Sequence, residues 1–211
     1  MVNFYIKGMS TTEEEQKTII NNFKKKKIDV IPIIDDYSNY SIKTIFPYIE
    51  KFIKDHNPNN EGINLICHSM GCNFGYLFNK GNNVNKLILV SPEFISTNKK
   101  QKKEIVSNYD GIDYNTSNNP IKPNLHNMIL YYQSLKNVVK IQNTAPSLDT
   151  NSLVIYSKGD PFVNQYWINS DINLLSQAFE VNSNSHNPLL TNDETYDEIA
   201  KFIKEPLEKI K

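Results

Sequence analysis

The sequence lacks several features that mark particular classes of protein, and cysteine is the first of them. Its 211 residues include only two cysteines, Cys67 and Cys72. This excludes the dense disulfide framework by which small secreted domains compensate for a small core. The two residues fall on a predicted strand end and in the first turn of the following helix, where a disulfide would conflict with the geometry. We therefore expect both thiols to be reduced.

An excess of either charge is also missing. Lysine plus arginine and aspartate plus glutamate each number 23, so the formal net charge is zero. Nucleic acids and anionic membranes attract proteins with a basic excess, and we therefore expect neither as a partner. The one basic run, at residues 24–27, falls at the predicted end of a helix, where the carbonyl ends favour cations.

Long apolar runs are absent. No segment approaches the roughly 20 apolar residues that a helix needs to cross a membrane. The chain starts with the strand-like Val2–Ile6 and shows no pattern of a secretory signal. We therefore expect a cytoplasmic protein without membrane insertion.

Ligand patterns for metals and phosphates are missing as well. The sequence has no histidine pair at helical ligand spacing, no cysteine cluster and no phosphate-binding loop. We therefore expect the protein to use neither a metal nor another cofactor.

What the sequence does contain is an alternation of strand-like and helix-like segments. This order predicts an α/β fold, a single domain over residues 1–211 with about six mainly parallel strands flanked by helices. Pro32 lacks an amide donor and so predicts that its strand lies at an edge of the sheet. The predicted strands are Val2–Ile6, Ile28–Ile34, Ile63–Cys67, Lys86–Val90, Leu153–Tyr156 and Ala178–Asn182.

The alternation breaks between residues 96 and 150. This segment is polar and rich in asparagine and lysine, and its one good helical run is Met128–Ile141. A structureless loop of such length would be unusual inside a domain. The segment therefore predicts a helical, cap-like insertion over one end of the sheet.

The stretch Ile63–Gly75 carries the clearest functional pattern. An apolar strand leads into Ser69, a helix-compatible segment follows, and the small residues Cys67 and Gly71 flank the serine two positions away on each side. This is the pattern of a nucleophile elbow, although a chance match in an ordinary parallel-sheet protein remains an alternative. The amide of Met70 would then lie at a helix N-terminus, where it could bind a developing oxyanion.

This stretch resembles the elbow of the α/β-hydrolase superfamily, which is usually Gly-x-Ser-x-Gly and often has histidine before the serine. His68 matches that histidine, while Cys67 stands where glycine is commonest. The resemblance places a second oxyanion amide in the loop after the first strand, often written His-Gly-x-x. Lys7-Gly8-Met9-Ser10 occupies that place, which assigns the amide of Met9.

The resemblance extends over essentially the whole chain. It implies a form trimmed at the N-terminus, because residue 2 already matches the strand before the oxyanion loop. It also places residues 96–150 where these proteins carry a cap. The apolar helix there, with Tyr131, Tyr132 and Leu135, could line an acyl pocket or pack onto the sheet, and we favour packing.

Three residues that follow predicted strands complete the pattern, in the chain order Ser69, Asp160 and His186. A serine needs a base to take its proton and a carboxylate to orient that base, and this is the chain order of α/β-hydrolases. Asp160 could instead cap a helix, His186 could be an ordinary loop residue, and Glu93 is an alternative acid. Together the three residues predict a catalytic triad.

The resemblance implies a serine hydrolase, and most simply a carboxylesterase that acts on a small acyl ester. Thioesterase, acyltransferase, lipase and peptidase activities on the same fold are alternatives. A non-catalytic ligand-binding protein that retains the scaffold is a further one, since a fold does not establish an activity. The sequence does not specify the acyl chain length or the oligomeric state.

Overall fold

Six parallel strands form one sheet in the computed structural model, which describes residues 1–82, 84–92, 125–142, 151–157, 159–160 and 177–205. The strand order is β2-β1-β3-β4-β5-β6, and every neighbouring pair is parallel. The predicted sheet is thereby confirmed. The strands are β1 (Val2–Ile6), β2 (Val30–Pro32), β3 (Ile63–His68), β4 (Val84–Val90), β5 (Ser152–Tyr156) and β6 (Ala178–Glu180).

The strand that carries the elbow lies inside the sheet. β3 pairs with β1 on one side and with β4 on the other, with Cys67 opposite Ile6 and His68 opposite Val90. Every residue of β3 is buried, as expected of a parallel strand covered on both faces. The serine that follows β3 is therefore placed by a fully buried strand inside the sheet.

The two edge strands are shorter than the sequence predicts. β2 begins at Val30 because the amide of Ile28 still donates to Phe23 at the end of the preceding helix. Pro32 lies in this strand, which confirms its predicted edge position. β6 ends at Glu180, and the Val181 amide makes one more backbone bond to the sheet, to Tyr156 O at 2.9 Å.

Helices cover both faces of the sheet. Alternate strand residues point to opposite faces, which divides the core into two layers. One layer lies under α2, α3 and α4, and the other lies under α1 and α6. The helices are α1 (Glu13–Lys25), α2 (Ile45–His56), α3 (Met70–Gly81), α4 (Leu125–Gln142), α5 (Pro188–Thr191) and α6 (Asp193–Lys204).

Helix α4 is the described part of the predicted insertion. It packs against α3, where Asn73 Nδ2 donates to Ser134 Oγ at 2.9 Å. Tyr131 and Leu135 are buried in the layer beneath it, which agrees with packing rather than with an open acyl pocket. Residues 96–124 and 143–150 lie outside the described residues, so the cap and the single domain over 1–211 stay predictions. None of the described helices is long and apolar enough to cross a membrane.

Candidate active site

The turn between β3 and α3 holds Ser69 in a rare backbone conformation. Its φ is 51° and its ψ is −124°, a combination that most side chains avoid. Hydrogen bonds on both sides hold this conformation, since the Ser69 amide donates to Val90 O at 3.0 Å and Ser69 O accepts from the Cys72 amide at 2.8 Å. A Cβ on Gly71 would overlap the carbonyl oxygen of Ile6. The predicted strand, sharp turn and helix are therefore present.

Cys67, the unusual cysteine of the elbow, packs directly against Gly75 of α3. Cys67 is fully buried, and its Sγ occupies the space that a Cβ on Gly75 would need. Both cysteines are free thiols, and Cys72 Sγ donates to Cys67 O at 3.3 Å. Burial raises the pKa of the Cys67 thiol, which disfavours the reactive thiolate. Cys67 therefore packs where the commoner motif has glycine.

Ser69, His186 and Asp160 form one hydrogen-bonded chain. Ser69 Oγ lies 2.8 Å from His186 Nε2, and His186 Nδ1 lies 3.0 and 2.9 Å from the two carboxylate oxygens of Asp160. A carboxylate accepts, so Nδ1–H donates and Nε2 accepts from the serine hydroxyl. All three residues are buried. The structure thus brings the three predicted residues together, while their catalytic roles stay predictions.

Serine hydroxyls connect the segments that carry Asp160 and His186. We call residues 157, 159 and 160 the acid turn and residues 183–187 the histidine loop. Ser157 Oγ donates to Ser183 O and accepts from the Gly159 amide at 3.2 Å. Within the histidine loop, the Ser185 amide donates to Ser183 Oγ at 3.0 Å and the Asn187 amide donates to Ser185 Oγ at 3.1 Å. Beyond the end of β6, these hydrogen bonds hold the histidine loop where no strand pairing among the described residues does so.

One predicted oxyanion donor, Met70, directly follows Ser69, and the loop that carries the other, Met9, contacts Ser69 through Gly8. Met70 is the first residue of α3, and the first amides of a helix have no partner within it. Gly8 contacts Ser69 so closely that a Cβ on Gly8 would lie 3.1 Å from Ser69 Cβ. Met9 follows Gly8 in this oxyanion loop, which we define as residues 7–10. The loop position supports the predicted pair of donors without testing their role.

Lys7 anchors the oxyanion loop to the neighbouring strand. Its Nζ donates to the carbonyl oxygen of Asp35, just after β2, while Tyr37 Oη donates to Lys7 O at 2.6 Å. The side chain is nearly buried, and burial lowers the pKa of Lys7, an effect that the carboxylates of Asp36 and Asp35 partly offset. Lys7, which stands where the family motif often has histidine, therefore helps to hold this loop in place.

The other histidines have different surroundings. Two of them are exposed, and each donates a ring N–H to a backbone carbonyl, His56 to Phe52 O at 2.8 Å and His126 to Tyr40 O at 2.6 Å. His68 packs beside the elbow, as predicted. The alternative acid at position 93 lies outside the described residues. Within those residues, no three histidine, cysteine or acidic side chains are grouped to hold a metal ion.

The fold is that of the α/β-hydrolases. No protein-family model matches the chain, and no curated protein sequence matches it. The fold assignment comes from solved structures. At these low identities the likeness establishes the fold, and the activity is a separate question.

Three of these solved structures are hydrolases of different kinds. A monoacylglycerol lipase from Paleococcus ferrophilus is 11% identical, with 95% of this chain and 93% of that chain covered and a TM-score of 0.67. MGS-MChE2, an α/β-hydrolase enzyme from a lagoon-sediment metagenome, is 14% identical over 95% and 89%, with a TM-score of 0.61. The RedJ thioesterase of Streptomyces coelicolor is 10% identical over 95% and 89%, with a TM-score of 0.57.

Several residues that shape the site are not evident from the sequence. Gly75 packs against Cys67, and Ser157 donates a hydrogen bond to Ser183. No short sequence pattern links either residue to its partner. The sequence signals were confined to the spacing around Ser69, the loop at residues 7–10 and the positions of Asp160 and His186 after predicted strands. Residues whose roles depend on long-range contacts require the tertiary structure.

Proposed function

We propose that the protein is a serine hydrolase that cleaves carboxylic esters through an acyl-enzyme on Ser69. The observation that carries this proposal is the buried chain from Ser69 Oγ through His186 to Asp160, with distances of 2.8 Å and 2.9 Å, on an α/β-hydrolase fold. The proposed nucleophile, base and orienting acid each lie at hydrogen-bonding distance from the next, which supports the proposal.

The first half of the reaction forms the acyl-enzyme. Ser69 Oγ attacks the ester carbonyl carbon while His186 Nε2 accepts the hydroxyl proton. The carbonyl oxygen becomes an oxyanion, which the amides of Met70 and Met9 bind. The bond from carbon to the leaving oxygen then breaks, and His186 returns its proton to the departing alcohol. Asp160 accepts from Nδ1–H throughout, so the lone pair that takes the serine proton is on Nε2, and the imidazolium formed in between is stabilised by the carboxylate.

The second half releases the acid. Water attacks the acyl carbon, His186 accepts a proton from it, and a second oxyanion forms in the same place. The bond between the acyl carbon and Ser69 Oγ breaks, the proton returns to Oγ, and a carboxylic acid leaves. The sequence of steps needs no reactant beyond the ester and water.

Hydrolysis of p-nitrophenyl esters from acetate to palmitate tests the proposal. We expect turnover by the wild-type protein, and a loss of about 10³-fold or more in Ser69→Ala and in His186→Ala, because triad members act as a unit. Ser91 provides a matched control. It too is buried with a positive φ, 50°, at the end of β4, but no described residue bonds its hydroxyl. Ser91→Ala should retain the activity.

A fluorophosphonate probe separates the alternatives. Labelling of the wild-type protein but not of Ser69→Ala would support the nucleophile, and faster turnover of thioesters than of esters would transfer the proposal to a thioesterase. Retention of most activity in Ser69→Ala would refute the assignment. A folded wild-type protein that neither cleaves the esters nor reacts with the probe would favour a binding protein instead.

A further inference from the structure

His68 joins the elbow to the backbone of the histidine loop. It ends β3 next to Ser69 and is 1% exposed. Its Nε2 lies 2.9 Å from the backbone oxygen of His186, and the two rings are 5.3 Å apart between centroids. A carbonyl only accepts, so His68 carries its proton on Nε2 and a lone pair on Nδ1. The backbone of the proposed base is thus held by the residue before the proposed nucleophile.

The opposite edge of the same ring faces the oxyanion loop. A Cβ on Gly8 would lie 2.7 Å from His68 Nδ1 and 3.0 Å from its Cε1. Nδ1 is buried and has no hydrogen-bond partner among the described residues. The ring therefore limits how closely the oxyanion loop approaches Ser69, and it packs there through a steric contact.

We propose that His68 is a positioning residue, which holds the backbone of His186 in place through its Nε2–H. The proposal rests on the hydrolase function proposed above. Its physical reason is that the histidine loop follows the end of β6 and has no strand ladder to place it. A displacement of about 1 Å at a reacting group can lower a rate by roughly 100-fold.

His68 does not serve as a second base. Its Nε2–H is engaged with the carbonyl of His186, and the ring is enclosed between two loops and the elbow. Burial, with a smaller contribution from His186, lowers the pKa of His68 to about 3. The ring is therefore neutral at neutral pH, which is the state that the bond geometry requires.

Three substitutions at position 68 separate positioning from simple packing. His68→Gln places an N–H the same number of bonds from Cβ as Nε2, His68→Asn places it one bond short, and His68→Leu has no donor. We expect kcat to fall about 100-fold in the asparagine and leucine variants with KM nearly unchanged, and the glutamine variant to recover most of it. An equal loss in all three variants, or none in His68→Leu, would overturn the proposal.

The exposed His56 offers a matched control, because its ring N–H also donates to a backbone carbonyl, Phe52 O at 2.8 Å. His56→Leu should leave kcat unchanged. Each variant is first compared with the wild-type protein by circular dichroism and thermal unfolding. This comparison separates a loss of folding from a loss of positioning.

A measurement on the wild-type protein keeps the proposal testable if the variants do not fold. Histidine ¹⁵N NMR near neutral pH should show His68 as the Nε2–H tautomer with a slowly exchanging proton, while the Nδ1–H tautomer would overturn the proposal. Failure of the two proposals is distinguishable. Turnover that tolerates His68→Leu refutes positioning alone, whereas a wild-type protein silent to esters and to fluorophosphonate refutes the hydrolase function and the positioning role that rests on it.

Discussion

Ser69 and His186 contact each other at 2.8 Å, but they belong to regions that are built differently. Ser69 follows a strand buried between two others, and its unusual backbone angles are held by main-chain bonds to Val90 and Cys72. His186 lies in a loop after the three-residue edge strand β6, where serine hydroxyls supply the bonds. One region depends on dense packing, and the other depends on a few side-chain hydrogen bonds.

This difference predicts which substitutions should mainly lower stability and which should mainly lower activity. A change that enlarges a side chain in the elbow must displace backbone atoms of the central sheet, so its main effect should be on folding. A change that removes one hydroxyl near the histidine loop leaves the core intact and should act mainly on the position of the base. His68 belongs to the elbow and contacts the histidine loop, so its substitution should change both the free energy of unfolding and kcat.

The largest effect is expected for Gly71→Ala. The new Cβ would overlap Ile6 O and lie 2.7 Å from Lys7 O, both of them backbone atoms, and we expect a loss of about 3 kcal/mol in the free energy of unfolding. Gly81→Ala in the same helix is the control, since its Cβ would have no neighbour within 4 Å. That variant should gain about 0.5 kcal/mol. Urea unfolding compares the two, and equal stability would contradict the packing argument.

An intermediate effect is expected from acid. Burial lowers the pKa of His68 to about 3 in the folded protein, against about 6.5 in the unfolded chain. Below pH 6.5 only the unfolded state gains this proton, so the free energy of unfolding falls as the pH falls toward 3. Between pH 7 and pH 5 the loss should be about 2 kcal/mol. Urea unfolding should show this loss in the wild-type protein and not in His68→Gln. The same pH dependence of the free energy of unfolding in both proteins would contradict the prediction.

The smallest effect on stability is expected for Ser157→Ala. This change removes the donor to Ser183 O and the acceptor for the Gly159 amide, and it should cost about 1 kcal/mol. Because these bonds connect the acid turn to the histidine loop, kcat should fall roughly tenfold. Ser41→Ala removes an exposed hydroxyl near Thr44 and serves as the control. Unchanged kcat in Ser157→Ala would show that the hydroxyl bonds do not place the base.

Local patterns in the sequence predicted much of the fold. The strands and helices follow from alternation and periodicity, and Pro32 marked the edge strand because it lacks an amide donor. The strand lengths at the edges were overestimated, since an apolar residue such as Ile28 is also buried outside the ladder. Periodicity reports burial, and burial alone does not distinguish a strand from the loop that continues it.

The sequence by itself determined the order of the elements and singled out Ser69, Asp160 and His186 as a predicted triad, because strand ends and the elbow spacing are local features. Only the tertiary structure decided which atoms meet. The match of Cys67 to Gly75, the bond from Lys7 to Asp35 and the contact of His68 with His186 each join residues through the packed core. Such contacts depend on how the elements pack in three dimensions, and residue types along the chain do not encode them locally.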